Sequence, residues 1–348
     1  MSTPRHLLVL VASAALGLGA RATLAAPVSE VHYTMGTYFS IRTEGMPEAP
    51  ARAAMRQCFT EARRLEGIFS RFDRGSELSR LNADSEARRA RLSETMADLL
   101  RRALLLRDAT GGTFDVTIGA LTALWRDSAT WPAATTIRRD GIGDRLDRVG
   151  LHDRELLRIR PGVQLDFDGV AKGYAVDRCV ALLRAAGVGR ALVSLGESSQ
   201  YALGAPEGQR GWTVLVRGTA PGMVLGTLRL RDQALSASAV LGHSRELAGH
   251  RVGHIIDPET GRPLRDNALA VVVADNATDA EAYSKAVLIW GSRGRGHFAA
   301  RLERSPLPSL AGALYVDDGK VTGWRGNAIQ FRPYRRPRPL TAAEEPLS

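Results

Sequence analysis

The sequence predicts one α+β domain that extends from about Ser29 to Arg332. At its start, a strand pattern is followed directly by apolar residues at helical spacing. Later, from Leu225 to His254, short strand-like runs alternate with Gly-rich turns. No linker divides the middle of the chain and no internal repeat is visible, so we expect a single domain rather than two.

The first half of the domain predicts a strand, a helix, a loop and a second helix. Residues 31–42 alternate well enough for a strand, and residues 51–68 carry apolar side chains at helical spacing. Residues 69–83 form a polar cluster that is typical of a loop. Residues 92–110 return to a helical period, and the Gly-Gly pair that follows ends this helix.

The second half alternates strand and helix patterns. We predict strands over residues 163–167, 191–195, 212–216 and 269–274, and helices over residues 171–186 and 277–290. The tail from residue 333 to residue 348 is rich in Arg and Pro and closes with acidic and polar residues, which predicts disorder.

The first 26 residues predict a secretory signal peptide. Arg5 precedes an apolar run from Leu7 to Leu18, and an Ala-rich stretch follows. The apolar run is shorter than the roughly 20 residues that span a bilayer. No cysteine lies near the expected cleavage region, so we expect export to the periplasm without a lipid anchor.

Charge and cysteine count restrict the function classes. The net charge of +10 comes almost entirely from arginine, because Lys172, Lys285 and Lys320 are the only lysines. The arginines are dispersed, which favours a solvated surface over a polyanion patch, and we expect no nucleic-acid partner. Cys58 and Cys179 lie in helix-like patterns, so we interpret them as two buried thiols rather than as a disulfide, and two cysteines are too few for a cysteine-based metal site.

One segment combines glycine, carboxylates and a lysine as a phosphate site requires. LDFDGVAKGYAVDR places Asp166, Asp168, Lys172 and Asp177 across a strand, a Gly turn and the start of a helix. Glycine lets backbone N–H groups approach an anion, and the Lys172 ammonium supplies a compact charge. An ion pair between Lys172 and Asp168, four residues apart, is the structural alternative.

Three further segments carry candidate groups. VSLGES ends a strand in Gly196. In HIIDPETGRP, His254 precedes Asp257 by three residues, which fits a general base beside a carboxylate, although an isolated histidine is more often structural. In TDAEAYSKAVLIWG, Glu281 and Lys285 share one helix face, and the structural alternative is an exposed ion pair.

Taken in order, these segments resemble the FAD:protein FMN transferase (ApbE) family. The resemblance rests on MGTYFSIR, FSRFDRGSELSRLN, GGTFDVTIGALTALW, LDFDGVAKGYAVD and HIIDPETGRP. It implies a duplicated α+β architecture called a T-fold. It also implies that FAD is cleaved at its pyrophosphate and that FMN passes to a threonine hydroxyl of a partner flavoprotein, with release of AMP and assistance from magnesium.

The resemblance also implies site residues. Flavin and phosphate contacts are expected from Met35, Thr37, Ser79, Asp115, Lys172, Asp177, Gly196 and His254. His254 and Asp257 are expected at the reacting centre, with His254 as the base that accepts the threonine proton.

The sequence departs from the family at the usual magnesium ligands. The last helix of the family carries Asp and Thr four residues apart, where this chain has Glu281 and Lys285. A protonated lysine cannot bind a metal, so Glu281 is the one candidate ligand left. If the correspondence is shifted, Asp279 supplies the carboxylate, but Tyr283 then stands four residues on. Gly196–Ser198 and Ser236–Ser238 also depart from the family pattern.

Two hypotheses for Lys285 remain open. In one, its ammonium takes the magnesium position in a metal-independent transferase, and Lys285 is then a catalytic residue. In the other, Lys285 neutralises Glu281 or a bound flavin phosphate, and the protein binds FAD without turning it over and acts as a periplasmic flavin carrier. We favour the transferase, whose acceptor would be a membrane-associated electron-transfer flavoprotein.

Overall fold

A computed structural model describes residues 26–141, 148–196, 198–220, 222–242, 244–294, 296–306, 308–317, 319–325 and 329–339. All but the last residue of the predicted signal peptide, residues 1–26, therefore lies outside the described residues, and so does Glu197. In the part of the chain that the structure describes, no helix has both the length and the apolar character to cross a membrane.

The domain opens with a β-hairpin where we predicted one strand. Strands β1 (Val28–Thr34) and β2 (Thr37–Thr43) pair antiparallel, with Thr34 opposite Thr37. Met35 and Gly36 form the two-residue turn with φ angles of 51° and 73°. Positive φ at both turn positions matches the twist of paired strands, so residues 31–42 fold back instead of running on.

Eight helices have bounds in the described residues: α1 (Glu48–Phe69), α2 (Glu77–Ala83), α3 (Glu94–Ala109), α4 (Gly119–Asp127), α5 (Ala134–Gly141), α6 (Ala171–Ala185), α7 (Ala277–Ser292) and α8 (His297–Glu303). The helices predicted over residues 51–68, 92–110, 171–186 and 277–290 are confirmed as α1, α3, α6 and α7. The predicted loop 69–83 is wrong at its end. There the Ser76 side chain accepts a hydrogen bond from Ser79 N at 3.0 Å and starts α2.

The remaining strands are β3 (Arg89–Arg91), β4 (Val149–His152), β5 (Glu155–Arg158), β6 (Ala191–Leu195), β7 (Ser199–Leu203), β8 (Trp212–Arg217), β9 (Met223–Leu230), β10 (Gln233–Ala239), β11 (Arg245–Leu247), β12 (His250–Val252), β13 (Ile256–Asp257), β14 (Arg262–Pro263), β15 (Ala268–Ala274), β16 (Leu310–Asp317), β17 (Lys320–Trp324) and β18 (Arg332–Pro339). Eight strands form one antiparallel sheet in the order β1-β2-β6-β7-β10-β15-β16-β17. Smaller sheets are β18-β9-β8 and β3-β5-β4, and β11-β12 and β13-β14 are pairs.

Strand β15 shows how the large sheet separates two hydrophobic cores. Every residue of β15 is buried. Ala270 and Val272 face the core that contains α1, α6 and α7, whereas Val271 and Val273 face the core beneath the small sheet β18-β9-β8. Alternate side chains of a strand point to opposite faces, so one strand contributes to both cores. The α+β class that the sequence predicted is confirmed.

Residues 163–167 do not form the predicted strand. They run beside residues 116–119 instead, where Asp166 N donates to Val116 O at 2.8 Å and Gly119 N donates to Gln164 O at 3.0 Å. A Cβ atom on Gly119 would lie 2.7 Å from Gln164 O, so glycine is required at this crossing. This close approach brings together GGTFDVTIGALTALW and LDFDGVAKGYAVD, two separate segments on which the family resemblance rests.

The predicted disordered tail is wrong for residues 333–339. Residues 332–339 form β18, which pairs antiparallel with β9, with Arg332 opposite Thr227. Strand β18 is at the edge of its sheet, where proline is tolerated because one side of the strand needs no backbone donor. Residues 340–348 lie outside the described residues.

The prediction of two free thiols is also wrong. Cys58 of α1 and Cys179 of α6 form a disulfide, with their Cα atoms 4.7 Å apart. Both residues are buried. The two helices pack together on one face of the large sheet, and this places side chains 121 residues apart in direct contact. Helical spacing in the sequence indicates that each cysteine is buried but not what lies opposite.

Candidate active site

The loop before α6 is fixed by an arginine from the polar segment after α1. Arg71 Nη1 donates to Asp166 Oδ2 at 2.6 Å, and Arg71 Nη2 lies 2.8 Å from Asp168 Oδ2. Thr122 Oγ1 also donates to Asp166 Oδ2, at 2.7 Å. Desolvation and the neighbouring Asp166 carboxylate raise the pKa of Asp168 to about 6. Arg71 therefore holds two carboxylates beside the start of α6.

Two lysines meet at one buried carboxylate at the centre of the site. Glu281 of α7 has no exposed surface, and its Oε1 atom lies 3.2 Å from Lys285 Nζ and 3.4 Å from Lys172 Nζ. Its Oε2 atom accepts a hydrogen bond from Gly173 N at 2.6 Å. We call these three charged residues, Lys172, Glu281 and Lys285, the lysine–glutamate cluster. It links the first turn of α6 to α7.

The environment shifts the pKa values of Glu281 and Lys285. Burial opposes ionisation of Glu281, but Lys285, Lys172 and the Gly173 N–H outweigh it and hold the pKa of Glu281 below its ordinary value. Burial and the positive charge of Lys172 together lower the pKa of Lys285 to about 8, although the Glu281 carboxylate opposes them. Glu281 is therefore ionised at neutral pH, and Lys285 is mostly protonated.

The structure distinguishes the two sequence hypotheses for Lys172. In the part of the chain that the structure describes, Lys172 forms its ion pair with Glu281 of α7, at 3.4 Å, rather than with Asp168 in the loop before α6. The loop nevertheless passes close to the cluster, because a Cβ atom on Gly169 would lie 4.0 Å from Lys285 Cε. The segment around Asp168 and the lysine–glutamate cluster are thus neighbours in one site.

Asp279, the alternative metal ligand, is occupied elsewhere. It is fully buried and forms an ion pair with Arg102, whose Nε lies 2.7 Å from Asp279 Oδ1. Asn276 Nδ2 and Ser309 Oγ donate to its Oδ2 at 2.9 and 2.7 Å. Asp279 is thus engaged by Arg102, Asn276 and Ser309, whereas Glu281 is the carboxylate of α7 that lies in the lysine–glutamate cluster.

The residues present do not fit the magnesium ion that the family resemblance implies. Both oxygens of Glu281 already have partners, and those of Oε1 are two ammonium groups. Within the described ranges, no group of three or more His, Cys, Asp or Glu side chains could hold a metal. A divalent cation at Glu281 would lie against like charge, which is unfavourable. The prediction of Glu281 as a metal ligand is not supported by this geometry.

Asp177 was predicted to contact the flavin or its phosphates, but its carboxylate holds the start of α7. Oδ1 accepts from Ala277 N at 2.7 Å, and Oδ2 accepts from Thr278 N at 2.9 Å and Thr278 Oγ1 at 2.5 Å. Desolvation raises the pKa of Asp177 to about 6. These bonds satisfy backbone donors that the first turn of a helix leaves open. The structure thus gives Asp177 a structural role.

The structure brings Thr37 and Gly196 together at one end of the large sheet. Gly196 has φ 65°, and its N–H donates to Tyr38 O at 2.9 Å. A Cβ atom on Gly196 would lie 3.0 Å from the Thr37 side chain. Met35 lies two residues earlier, in the turn of the hairpin. These three predicted flavin contacts therefore share the β1–β2 turn and the end of β6.

Ser79 and Asp115 lie on the segments that flank the loop. Ser79 Oγ donates to Ser70 O at 3.1 Å, close to Arg71. Asp115 Oδ1 accepts from Thr117 N at 2.8 Å and Thr117 Oγ1 at 2.7 Å, whereas its buried Oδ2 has no hydrogen-bond partner in the described residues. Desolvation raises the pKa of Asp115. Asp115 Oδ2 is therefore a buried acceptor that no donor of the described residues satisfies.

The turn that contains His254 and Asp257 is tied to the end of α7. Asp257 Oδ1 accepts from Glu259 N, and Asp257 Oδ2 accepts from Arg293 Nη2, both at 2.8 Å. Arg293 also pairs with the Glu259 carboxylate at 2.7 Å. His254 is exposed just before β13. The bonds at Asp257 make it an anchor of the turn that presents His254.

The serine pair of β10 supports the helix that carries Glu281. Ser236 Oγ and Ser238 Oγ lie 3.2 and 2.7 Å from Ser284 Oγ, and Ser284 Oγ donates to Glu281 O at 2.8 Å. All three hydroxyls are buried. Ser236 and Ser238, which lie where the sequence departs from the family pattern, thus contact α7 directly.

Sequence reasoning missed two arginines that hold the site together. Arg71 positions Asp166 and Asp168, and Arg293 positions Asp257. The only signal in the sequence is their position, since Arg71 lies inside the segment FSRFDRGSELSRLN and Arg293 follows shortly after TDAEAYSKAVLIWG. Because arginine is abundant and dispersed in this chain, composition gives no signal that separates them from surface residues.

Comparison with known proteins agrees with the fold and the order of the site segments. The family model described as the ApbE family matches residues 35–306. A FAD:protein FMN transferase of Rhodobacter capsulatus is 32% identical over 306 residues; the match covers 85% of this chain but only 58% of the relative. A FAD:protein FMN transferase of Treponema pallidum is 30% identical over 290 residues, and the match covers 76% of this chain and 78% of the relative.

Solved structures share the fold at low sequence identity. The flavinyl transferase ApbE of Pseudomonas stutzeri superposes with a TM-score of 0.76 at 20% identity, and the match covers 88% of this chain and 98% of that one. The ApbE protein of Thermotoga maritima gives a TM-score of 0.76 at 23% identity, with 85% and 96% covered. From the match over residues 35–306 and the common fold, this chain belongs to the ApbE family.

Proposed function

We propose that this chain transfers FMN from FAD to a threonine hydroxyl of a target flavoprotein and releases AMP. The threonine oxygen attacks the phosphorus that carries the riboflavin, and the bond from that phosphorus to the bridging oxygen breaks. AMP leaves with that oxygen, and the hydroxyl proton passes to a base. Such a reaction depends mainly on positioning and on neutralising phosphate charge.

The observation that carries this proposal is the family match over residues 35–306, which contains every candidate site residue named above. The geometry supports it because the loop at Asp168, the lysine–glutamate cluster and the end of β6 are built from segments inside that match. The half-buried side chains of Lys172 and Lys285 keep 28% and 15% of their surface exposed, which supports access by an anionic ligand.

His254 is the proposed base for the threonine proton. It is exposed, and the turn that carries it is held by the Asp257–Arg293 bond at 2.8 Å. A base must be fixed in place yet open to an incoming acceptor, and this turn offers both properties. Asp257 acts in the proposal as a positioning residue rather than as a group that touches the substrate.

We also propose that the protein works in the periplasm on a membrane-associated acceptor. The signal-peptide pattern of residues 1–26 supports export. The Cys58–Cys179 disulfide supports the same compartment, because disulfides persist in oxidising environments such as the periplasm. Fractionation of the source cells, with detection of the chain in the periplasmic fraction, tests this part of the proposal.

The test of the activity uses purified protein, FAD and an acceptor flavoprotein that carries the target threonine. We expect AMP release and a covalent flavin on the acceptor, measured by chromatography and by in-gel flavin fluorescence. The acceptor with threonine replaced by alanine is the control and should stay unlabelled.

The carrier hypothesis predicts a different result in the same assay. A flavin carrier would bind FAD and release no AMP under any metal condition. The buried ion pairs at Glu281 favour this second function only in that they replace the usual magnesium ligands. FAD binding without AMP would therefore reject the transferase and leave the carrier.

A further inference from the structure

We propose that the lysine–glutamate cluster binds the diphosphate of FAD through its own ammonium groups, in place of a divalent metal. This inference rests on the proposed function, because it takes FAD as the ligand. It concerns Lys172, Glu281 and Lys285, which come from two helices and meet at one carboxylate.

The charge of the cluster matches an anionic ligand. Two ammonium groups and one carboxylate leave an excess of one positive charge. Arg71 pairs with both nearby carboxylates, at 2.6 Å from Asp166 and 2.8 Å from Asp168, and Asp168 also acts on the two ammonium groups. Each ammonium group has three donors, so a diphosphate oxygen can bind to it while its pairing with Glu281 is kept.

The geometry gives the Glu281 carboxylate a role at a site that binds an anion. Its Oε1 atom contacts both ammonium groups, at 3.2 and 3.4 Å, and its Oε2 atom accepts the Gly173 N–H at 2.6 Å. A fully buried carboxylate with both oxygens occupied acts as an anchor that fixes the positions of two cations. It thereby keeps Lys285 charged in a buried setting where an isolated ammonium would lose its proton.

The choice of lysine rather than arginine is specific in this chain. Only three of its residues are lysines, and two of them are in the cluster. An ammonium is a compact charge with rotatable donors, whereas a guanidinium is a wide planar fork. A compact cation is the closer substitute for a metal ion between phosphate oxygens.

Local backbone adds to the site. Lys172 stands in the first turn of α6, where the helix dipole favours a phosphate, while Ala171 N and Gly173 N are already bonded to Phe167 O and Glu281 Oε2. Gly169 lies beside Lys285, since a Cβ atom there would be 4.0 Å from Lys285 Cε and 3.3 Å from Phe114. Glycine at this position leaves room for a ligand next to the ammonium.

The first experiment measures FAD affinity of the purified protein by titration calorimetry, in EDTA and in millimolar magnesium chloride. We expect the two dissociation constants to agree within about twofold. We expect Lys285→Met to weaken binding by about tenfold or more, because a charge-assisted hydrogen bond is lost. Lys320→Met, at the third lysine on β17, is the matched control and should bind as the parent does.

A second variant guards against a folding defect in Lys285→Met, which leaves Glu281 with one fewer cation. Glu281→Gln/Lys285→Met removes both charges and should also bind FAD weakly in either buffer. Glu281→Asp/Lys285→Thr restores the ligand types that the family carries. It should bind FAD at least about tenfold more tightly with magnesium than with EDTA, as expected for a metal that bridges carboxylate and phosphate.

The outcomes separate this inference from the proposed function. FAD binding or AMP release by the parent protein that requires magnesium overturns the inference and leaves the transferase in place. Undiminished binding by Lys285→Met also overturns it. If the parent binds FAD equally in both buffers and releases no AMP, diphosphate binding by the cluster is supported and the proposed transferase activity is rejected.

Discussion

The carboxylate of Asp177 closes the first turn of α7 by accepting hydrogen bonds from both the backbone N–H and the hydroxyl of Thr278. This contact joins α6 to α7, the two helices that supply the lysine–glutamate cluster. The geometry of the cluster therefore depends on a capping interaction that lies outside it.

Replacing Asp177 with alanine should destabilise the protein by about 1–3 kcal/mol, because two backbone donors and a hydroxyl lose their acceptor. Urea denaturation measures the loss. FAD affinity per folded molecule should change less than it does in Lys285→Met. A variant of full stability with no FAD binding would instead support the direct flavin contact that the sequence predicted.

FAD binding should weaken above pH 8 through Lys285. Burial and Lys172 lower its pKa to about 8 while Glu281 opposes them, and Asp168 also faces it, so the ammonium is present below that pH and lost above it. If only the ammonium form binds, affinity falls by about fivefold between pH 8 and pH 9. Calorimetry at both pH values measures this change, and Lys285→Met should show a flat profile over the same range. An equally steep profile in that variant would assign the titration to another group.

His254→Ala should lower the rate of FMN transfer by about 100-fold or more while leaving FAD affinity nearly unchanged, as expected for loss of a general base. Single-turnover AMP release gives the rate, and calorimetry gives the affinity. Asp257→Asn, which weakens the bond to Arg293, should have a smaller effect on the rate. Equal loss of affinity and rate in His254→Ala would indicate a binding role instead.

The disulfide should contribute about 2–5 kcal/mol to stability, since it restrains a long loop of the unfolded chain. Cys58→Ala/Cys179→Ala removes it, and the free energy of unfolding in guanidinium chloride measures the effect. The parent protein should lose stability in dithiothreitol, whereas the double variant should be insensitive to it. A parent protein with two titratable thiols under non-reducing conditions would refute the pairing.

Arg102→Met should cost about 3–5 kcal/mol, because it leaves the buried Asp279 carboxylate without its cation. Arg102→Met/Asp279→Asn should recover part of that stability, because no uncompensated charge remains. Chemical denaturation compares the two variants. FAD affinity of folded Asp279→Asn should match the parent in EDTA and in magnesium, and a magnesium-dependent difference would return Asp279 to the list of metal ligands.

The sequence by itself determined the periodic elements and the order of the site segments. Helices α1, α3, α6 and α7 follow from apolar spacing, and β6 was predicted at its observed bounds. Local chemistry is enough for these elements because side-chain spacing depends only on neighbouring residues. The same pattern failed at residues 31–42, where two positive φ angles at Met35 and Gly36 turn one apparent strand into a hairpin.

Only the tertiary structure decided which side chains meet. It paired Cys58 with Cys179, directed Asp177 to the start of α7, and placed Lys172 on Glu281 rather than on Asp168. Each of these observed contacts joins residues about 100 or more positions apart. The Lys172–Asp168 pair that the sequence offered as an alternative is local by comparison. Spacing along a helix shows which residues share a face, but the packing of whole helices on the large sheet determines what that face contacts.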